Sequence, residues 1–447
     1  MKKSKPSKAT RSQTKPNKHA AGIDIGADIH YVAVDPDSAS EPVRSFGALT
    51  ADLHKLADWL VQCKVGTVAM ESTGVYWIPL FQILEARGLD VCLVNARHVK
   101  NVPGRKTDVQ DSQWLQYLHS VGLLSASFRP SGEICAVRSL LRHRDTLMRV
   151  ACEQVQRMQK SLDQMNVLLH RAVSDITGVT GLAILDAILA GERNPIELAK
   201  HRNKRCKKSE AEIAAALQGD WRVEHLFTLK ESLQLWRQLQ EAILECDTEI
   251  NRLIEELDDQ KGDQRLPASP KKGSSAPNEP QREQLFNKLG VDLTAVEGVS
   301  IKTAQVFLTE VGPEVSGFKS AGHFASWLGL CPDNRISGGR KLSANTRSVK
   351  SPLANILRMS VQNYHRSESA LGDWFRRLRS KLGTKGAVTA AAHKLARILY
   401  AMVKTRKPYD PKLTTNQTIN KHRKENSLRR QAKLLGFQLT PIEQQVS

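Results

Sequence analysis

The chain has 447 residues, a formal net charge of +20 and a hydrophobic fraction of 40%, which is ordinary for a globular protein of several domains. No apolar run reaches the ~18 residues of a transmembrane helix, and the basic N-terminus lacks the apolar core of a signal peptide. Residues 1–20 carry +7 and residues 335–447 carry +19, whereas residues 21–334 carry −6. Cationic ends favour a polyanionic partner, with nucleic acid first and an anionic membrane surface second.

The seven cysteines include no C-x-x-C motif and no close pair. This spacing argues against a zinc ribbon or a disulfide scaffold and favours the reducing cytoplasm. Residues 1–20 predict a disordered basic arm.

Residues 21–130 alternate strand-like and helix-like runs, which predicts an α/β domain with a mixed sheet. The predicted strands are AGIDIGADIHYVAV, EPVRSFGALT, TVAMES and DVCLVNA. The predicted helices are DLHKLADWLVQC, VYWIPLFQILEARG and a segment from Asp108 to Leu124.

Residues 131–260 predict a helical region. Apolar residues recur every three or four positions over 133–175, without Gly or Pro, and again over 223–260. Stripes of this length predict two long helices that pack antiparallel as a coiled coil or helical hairpin. The remaining segments are a helical insertion near 182–217, a Pro/Ser/Gly/Lys-rich linker (261–283), a mainly α C-terminal domain (284–405) and a basic tail (406–447).

Four carboxylates stand out in the N-terminal domain. Asp24 interrupts the apolar run GIDIG, Glu71 ends TVAMES, and Asp108 and Asp111 lie three apart in KTDVQD. A buried carboxylate must be paired or hold a metal, and several hard oxygen ligands suit two Mg²⁺ ions at a phosphodiester site. The helical pair is also explained by an acidic helix N-terminus, and the residues after Glu71 by a helix cap. Asp24 also fits an actin-like phosphotransferase, although no glycine-rich phosphate loop follows.

Two C-terminal segments suggest contact with phosphates. LTAVEGVSIKTAQVFLTEVG, which includes Lys302, predicts a helix-hairpin-helix element, with a plain αα-hairpin as the alternative. In SWLGLCPDNRISGGRKLSANTRS, Ser337 lies in a glycine-flanked loop among Arg335, Arg340 and Lys341. A serine in an open backbone among cations could attack a phosphoryl group, whereas a flexible basic loop that only touches DNA phosphates explains the same residues.

GIDIGADIHYVAV, GRKTDVQD and WLGLCPDNRISGG resemble insertion-sequence transposases of the one-ten family, and in particular its eleven-eleven subgroup. The resemblance covers most of residues 20–400. It implies a RuvC-like (RNase H-like) N-terminal domain, a coiled-coil middle and a C-terminal transposase domain. It also implies a metal site and a serine nucleophile, and the implied catalytic residues are Asp24, Glu71, Asp108, Asp111 and Ser337. The four acids would bind the metal ions. Ser337 is the best match for the nucleophile, with Ser343 and Ser348 as competitors.

The resemblance further implies a recombinase that excises and inserts its element through a circular form. Its partners would be donor and target DNA, a noncoding bridge RNA that selects the sequences, and further copies of the chain in a tetramer built as a dimer of dimers. Its cofactor would be two Mg²⁺ ions, with Mn²⁺ as an alternative, and its location the bacterial cytoplasm at the nucleoid. The expected nucleic-acid contacts are Arg105, Lys106, Lys302, Arg335, Arg340, Lys341 and Arg347.

Two further functions remain open from the residues themselves. A Holliday-junction-type nuclease would hydrolyse DNA with a metal-bound water and form no covalent link to the protein. A non-catalytic nucleic-acid-binding protein on a RuvC-like scaffold would bind without Mg²⁺ and release no product strands.

Overall fold

The computed structural model describes most of the chain; the described residues are 15–72, 74–94, 108–269, 277–343, 345–410, 426 and 428–438. The chain divides into two compact units, Met1–Arg129 and Pro130–Ser447. No helix of the described part is both long enough and apolar enough to cross a membrane.

The first unit is a mixed α/β structure, as predicted. Its strands are β1 (Ala20–Ile25), β2 (Ile29–Ala33), β3 (Val43–Gly47), β4 (Thr67–Glu71) and β5 (Asp90–Val94), and its helices are α1 (Thr50–Gln62), α2 (Trp77–Ala86) and α3 (Asp108–Ser120). The sheet order is β3-β2-β1-β4-β5. Strand β2 runs antiparallel to both neighbours, whereas β1, β4 and β5 are mutually parallel. This sheet is compatible with a RuvC-like domain.

Side chains alternate between the two faces of this sheet, as the pleat requires. One face packs on α1 and α2 and carries the main core of the unit, including Ile23, Val68, Met70, Leu56, Leu60 and Leu84. The other face contacts α3, where Val94 and Leu115 form a smaller apolar cluster. The central strand β1 is therefore apolar on both faces up to its carboxyl end, where Asp24 lies, and β4 ends in the second acid, Glu71.

The second unit is mainly helical. Its helices are α4 (Gly132–Gln164), α5 (Leu169–Ala172), α6 (Val179–Leu189), α7 (Pro195–Ala199), α8 (Glu210–Ala216), α9 (Val223–Glu256), α10 (Glu279–Leu289), α11 (Ile301–Val311), α12 (Ala321–Trp327), α13 (Pro352–Ser360) and α14 (Ala370–Thr405). Helix α4 ends at Gln164, short of the predicted stretch 133–175, because Asn166 takes a left-handed conformation with φ of 54° and turns the chain.

The long helices α4 and α9 pack antiparallel, as predicted. Arg144 Nη2 donates to Asp247 Oδ2 at 2.9 Å near one end. Nearer the other end, the hydroxyls of Ser161 and Thr228 are 3.0 Å apart. From the first contact to the second, the residue number rises along α4 and falls along α9. The two helices are therefore antiparallel. Supercoiling of the pair stays a prediction.

Part of the predicted linker 261–283 is folded. Helix α10 begins at Glu279, within that range. Arg282 is 2% exposed and donates to Asp292 Oδ2 at 2.7 Å and to the carbonyl oxygen of Pro267 at 2.6 Å. The guanidinium thus joins the linker to the helical unit, a role that the Pro- and Ser-rich composition does not reveal.

A β-hairpin interrupts the helices of the C-terminal region. Its strands are β6 (Arg335–Ser337) and β7 (Arg340–Ser343). Helix α14 is kinked, since Gly383 has φ of 70° inside it. Both features arise at glycines, which adopt positive φ without the steric cost of a side chain.

Candidate active site

Asp24 and Glu71 lie at equivalent positions of two neighbouring strands. Strands β1 and β4 are parallel, with Ile23 paired to Met70, so the next step of the register brings Asp24 beside Glu71. Residues at one register level of a parallel pair point to the same face of the sheet. That face is opposite to the one occupied by Ile23 and Met70 in the main core. The two carboxylates therefore share the face that α3 covers.

Helix α3 crosses this face antiparallel to β1 and β4. Gln116 Nε2 donates to the carbonyl oxygen of Ala20 at 3.2 Å, and His119 Nε2 lies 2.8 Å from Thr67 Oγ1. The C-terminal half of α3 is thus held at the amino ends of both strands. Its N-terminal half consequently points toward the carboxyl ends, where the two acids lie.

Gly22 allows α3 to approach this closely. A Cβ at Gly22 would come within 3 Å of the Ser112 carbonyl oxygen and of the Gln116 backbone nitrogen. The glycine of GIDIG therefore has a packing role two residues before Asp24, on the same face of β1. In the sequence, the acid of this motif stands out by its charge, whereas nothing marks the role of the glycine.

The remaining two acids come from the first turn of α3. Asp108 is the first residue of the helix and Asp111 is half-buried near the same end. The side chain of Asp108 lies outside the described part of the structure. Among the side chains that are described, no three His, Cys, Asp or Glu residues stand close enough to hold a metal ion. The register and the helix direction thus bring four acid-bearing positions to one end of the sheet, and the metal site stays a prediction.

Two consecutive residues of β2, close to Asp24 in the register, were not singled out by the sequence. Tyr31 of β2 is the antiparallel partner of Asp24, so it shares the α3 face with that carboxylate. His30 is 1% exposed, and burial lowers the pKa of its imidazole. It pairs with Ile25 in the register and therefore belongs to the opposite face. The alternation in IHYVAV is the signal that would have separated these two side chains.

Ser337 ends the first strand of the hairpin and is exposed. The turn that follows is Gly338–Gly339, with φ of 53° and 74°. Two positive φ values suit a two-residue hairpin turn whose twist matches the strands. Arg340 stands directly opposite Ser337 in the register and is also exposed. The predicted glycine loop is therefore a tight hairpin that presents a hydroxyl beside a guanidinium.

The two competing serines lie in different surroundings. The hydroxyl of Ser343 accepts a hydrogen bond from the Asn345 backbone nitrogen at 3.3 Å. Ser348 is exposed and follows the hairpin by several residues. Of the three serines, Ser337 lies next to the glycine turn.

Two separate segments of the chain, one in each half, match models of known protein families. A family model for the DEDD transposase domain of IS110 elements matches residues 21–167, and a model described as "Transposase IS116/IS110/IS902 family" matches residues 292–371. The chain belongs to the IS110 family of transposases. A protein of Pseudomonas aeruginosa named "Probable family 20 transposase" is 23% identical over 378 residues, which cover 80% of this chain and 89% of that relative.

Transposases act on DNA, and membership of this family implies an enzyme that cuts and rejoins DNA. The first matched stretch contains all four acids, and the second contains Ser337. The DEDD domain is of the RNase H-like type, which in general depends on divalent metal ions.

The structure accounts for only some of the cations expected to contact nucleic acid in this transposase. Arg105 and Lys106 lie outside the described residues, as do the side chains of Arg335 and Lys341. Lys302 Nζ is 3.6 Å from Asp145 Oδ1 in α4. Arg347 Nη2 donates to the Ser326 carbonyl oxygen at 2.5 Å, so it holds the segment after the hairpin against α12.

The predicted helix-hairpin-helix segment consists of a short 3-10 helix at Leu293–Ala295, a turn and helix α11. Gly298 has φ of 77° in this turn. Ser300 is the N-cap of α11, and its Oγ accepts a hydrogen bond from the Thr303 backbone nitrogen at 3.1 Å. This donor of the first turn is therefore satisfied within the chain.

Proposed function

We propose that this transposase cuts and rejoins DNA strands for excision and site-specific insertion of its element, with Asp24, Glu71, Asp108 and Asp111 as metal ligands and Ser337 as nucleophile. The observation that carries the proposal is the register of β1 and β4 beneath the antiparallel α3. It brings acids from three separate segments to one end of the sheet. Convergence of acids at one end of a sheet is typical of functional sites.

The donor set suits the proposed ions. All four residues offer carboxylate oxygens, and hard oxygen ligands are those that Mg²⁺ prefers. When bound, two divalent ions would neutralise charge on the scissile phosphate and on the leaving oxygen. The chain's own part is to hold the carboxylates in place: β1 and β4 fix two of them, and the packing of α3 against Gly22 fixes the height of the others.

The proposed attack of the serine on DNA is a transesterification. The Ser337 Oγ forms a bond to phosphorus and releases its proton, the phosphodiester bond of the strand breaks, and the leaving strand oxygen takes up a proton, so that none is gained or lost. Attack by a strand hydroxyl on the phosphoserine reverses this step, re-forms a phosphodiester and frees the serine. Arg340, opposite Ser337 in the hairpin, offers a cation to the negative charge that builds up on the phosphoryl oxygens.

Guidance by a bridge RNA and assembly as a tetramer are part of the same proposal. The net charge of +19 over residues 335–447 suits the binding of long nucleic acids through their phosphates. Helix α9 leaves apolar side chains in solvent, since Phe227, Leu235 and Leu244 are 62%, 46% and 68% exposed. Exposed apolar side chains on this helix offer contacts to a second copy of the chain.

The covalent step is tested by denaturing gels of protein incubated with its DNA and Mg²⁺. We expect a protein–DNA adduct that is lost in Ser337→Ala and kept in Ser343→Ala and Ser348→Ala. Asp108→Ala should lose strand cleavage and keep nucleic-acid binding. An adduct that persists in Ser337→Ala would place the nucleophile elsewhere. Cleavage with no adduct in the wild type would favour the Holliday-junction-type nuclease instead.

RNA guidance is tested separately by recombination between donor and target duplexes. RNA transcribed from the DNA that flanks the gene is added or withheld. Recombination only in its presence supports the bridge RNA, whereas equal product without RNA contradicts it. Protein that binds both duplexes but yields no cut strands under any condition would favour the non-catalytic alternative.

A further inference from the structure

A cavity of about 780 Å³ lies in the second unit, away from the hairpin residues. It is formed largely by helix α14 and by residues 407–410, shortly after the helix. Its walls include Trp374, Leu378, His393, Lys394, Arg397 and Tyr409. Cavities of ~300–1,000 Å³ that combine apolar walls with a few polar groups are typical of small-ligand sites.

The kink at Gly383 explains how one helix forms this cavity. Trp374 precedes the glycine and Lys394 follows it, yet Lys394 Nζ lies 4.5 Å from the centroid of the Trp374 ring. A straight helix would hold residues twenty apart about 30 Å from each other. The two arms of α14 therefore face each other across the kink, and the cavity lies in their angle.

The polar groups of the cavity are mostly cationic. Burial lowers the pKa of Lys394, and the nearby guanidinium of Arg377 lowers it further. Burial and Arg397 likewise lower the pKa of His393, which favours the neutral imidazole. An anion in the cavity would relieve the repulsion between the cations, and the neutral imidazole could both donate and accept a hydrogen bond. Asp410 adds a carboxylate at the end of the lining segment, where it could accept from an amino group.

We infer that this cavity binds an unpaired nucleotide of a nucleic-acid strand, with the base against Trp374, Leu378 and Tyr409 and a phosphate beside Lys394 and Arg397. An aromatic wall next to cations is the combination by which proteins hold single strands. The volume admits one nucleotide, and no duplex would fit. The inference rests on the proposed function only in that the chain handles nucleic acid, and it needs neither the acids nor Ser337.

The test is binding without chemistry, so it is independent of the proposed active site. Full-length protein in EDTA is titrated with a fluorescent single-stranded hexanucleotide and with a hexamer of abasic sugar-phosphates. We expect the wild type to prefer the base-containing strand and Trp374→Leu to bind it about 5- to 150-fold more weakly, as loss of one stacked base implies. The matched control is Trp221→Leu, since Trp221 also lies beneath a cation, with Arg193 Cζ 4.8 Å from its centroid.

A second pair of variants tests the phosphate contact. Lys394→Gln should lower the slope of log Kd against log salt concentration by about 0.7, the value for one phosphate of a single strand. Lys404→Gln removes the same charge from the same helix but does not line the cavity, so it should bind with a steeper slope than Lys394→Gln. DNA and RNA hexamers are compared, and the one that loses more affinity in Trp374→Leu identifies the strand. Equal binding of base-containing and abasic strands, or equal loss in Trp374→Leu and Trp221→Leu, would overturn the inference.

Discussion

Gly22 of β1 and Gln116 of α3 are in backbone contact, which sets how closely the helix lies over the acid-bearing strands. A side chain at Gly22 would overlap the Gln116 nitrogen, and the Gln116 side chain in turn donates to the carbonyl oxygen of Ala20. Two contacts therefore hold α3 against β1: the close backbone approach at Gly22 and the side-chain hydrogen bond of Gln116. The height of the α3 acids above the sheet depends on this contact.

Gly22→Ala should therefore weaken both the domain and the site. The added methyl pushes α3 outward, and we expect a loss of about 1–3 kcal/mol in the free energy of unfolding, as overpacking typically costs. Strand cleavage should fall further than stability alone explains. Urea denaturation and a cleavage assay measure the two effects. Gly66→Ala is the control, because a Cβ there meets nothing within 4 Å, and equal effects of the two changes would contradict this account.

The neutral variants Asp24→Asn and Glu71→Gln keep the shape of each side chain and remove its charge. If the two acids hold metal together, each variant should lower cleavage by at least about 10²-fold, comparable to the loss of one transition-state contact. Nucleic-acid binding should be retained. Asp90→Asn makes the same change at the amino end of β5. Because β5 is parallel to β1 and β4, this position is at the opposite end of the sheet from the two acids, and the variant should keep wild-type activity. Strand cleavage at the wild-type rate in Asp24→Asn would contradict the metal-site proposal.

The buried pair Arg282–Asp292 should matter more for stability than the surface pairs. Both side chains are at most 5% exposed, and Arg282→Met leaves the Asp292 carboxylate buried without its guanidinium. Breaking a buried pair costs about 3–5 kcal/mol. Arg252→Met removes an exposed arginine paired with Glu249 and should cost about 1 kcal/mol or less. Urea midpoints of the two variants give the comparison, and similar midpoints would show that Arg282 is dispensable.

The stability of the first unit should fall in weak acid, in part through His119. Burial lowers the pKa of this imidazole in the folded state, although Asp90 opposes the shift by a smaller amount. The folded protein then binds fewer protons than the unfolded chain below pH about 6.5. Stability is full above that pH and is lost as pH falls toward the lowered pKa. His119→Gln should reduce the difference in urea midpoint between about pH 7.5 and about pH 5, whereas a substitution of the exposed His54 should not.

Period-two and helical patterns predicted the α/β class of the first unit and most of its elements, because each element buries one regular face. The run AGIDIGADIHYVAV, predicted as one strand, is instead the antiparallel pair β1 and β2. The antiparallel pairing of α4 and α9 followed from two apolar stripes of similar length. The break after Gln164 did not, since it depends on one left-handed residue, Asn166. The hairpin at Ser337 was also missed as a strand pair, because its residues are exposed and show no alternation.

The acids were predictable as residues and not as an arrangement. Asp24 and Glu71 attract attention because each carboxylate adjoins an apolar run. Their common face follows only from the strand register, and the direction of α3 follows only from contacts such as His119 with Thr67. Gly22 carries no chemical signal of its own, since its role depends on a helix almost one hundred residues later in the chain.

The packing of α3 on β1 also has a consequence for the timing of synthesis. All five strands of the first unit precede this helix in the chain. A nascent chain therefore carries Asp24 and Glu71 before it carries Asp108 and Asp111. N-terminal regions begin to fold while translation continues. The newborn protein thus passes through a stage with a sheet but an incomplete set of acids. If these acids hold the proposed metal ions, a nascent chain gains that site only after helix α3 has left the ribosome and packed against Gly22.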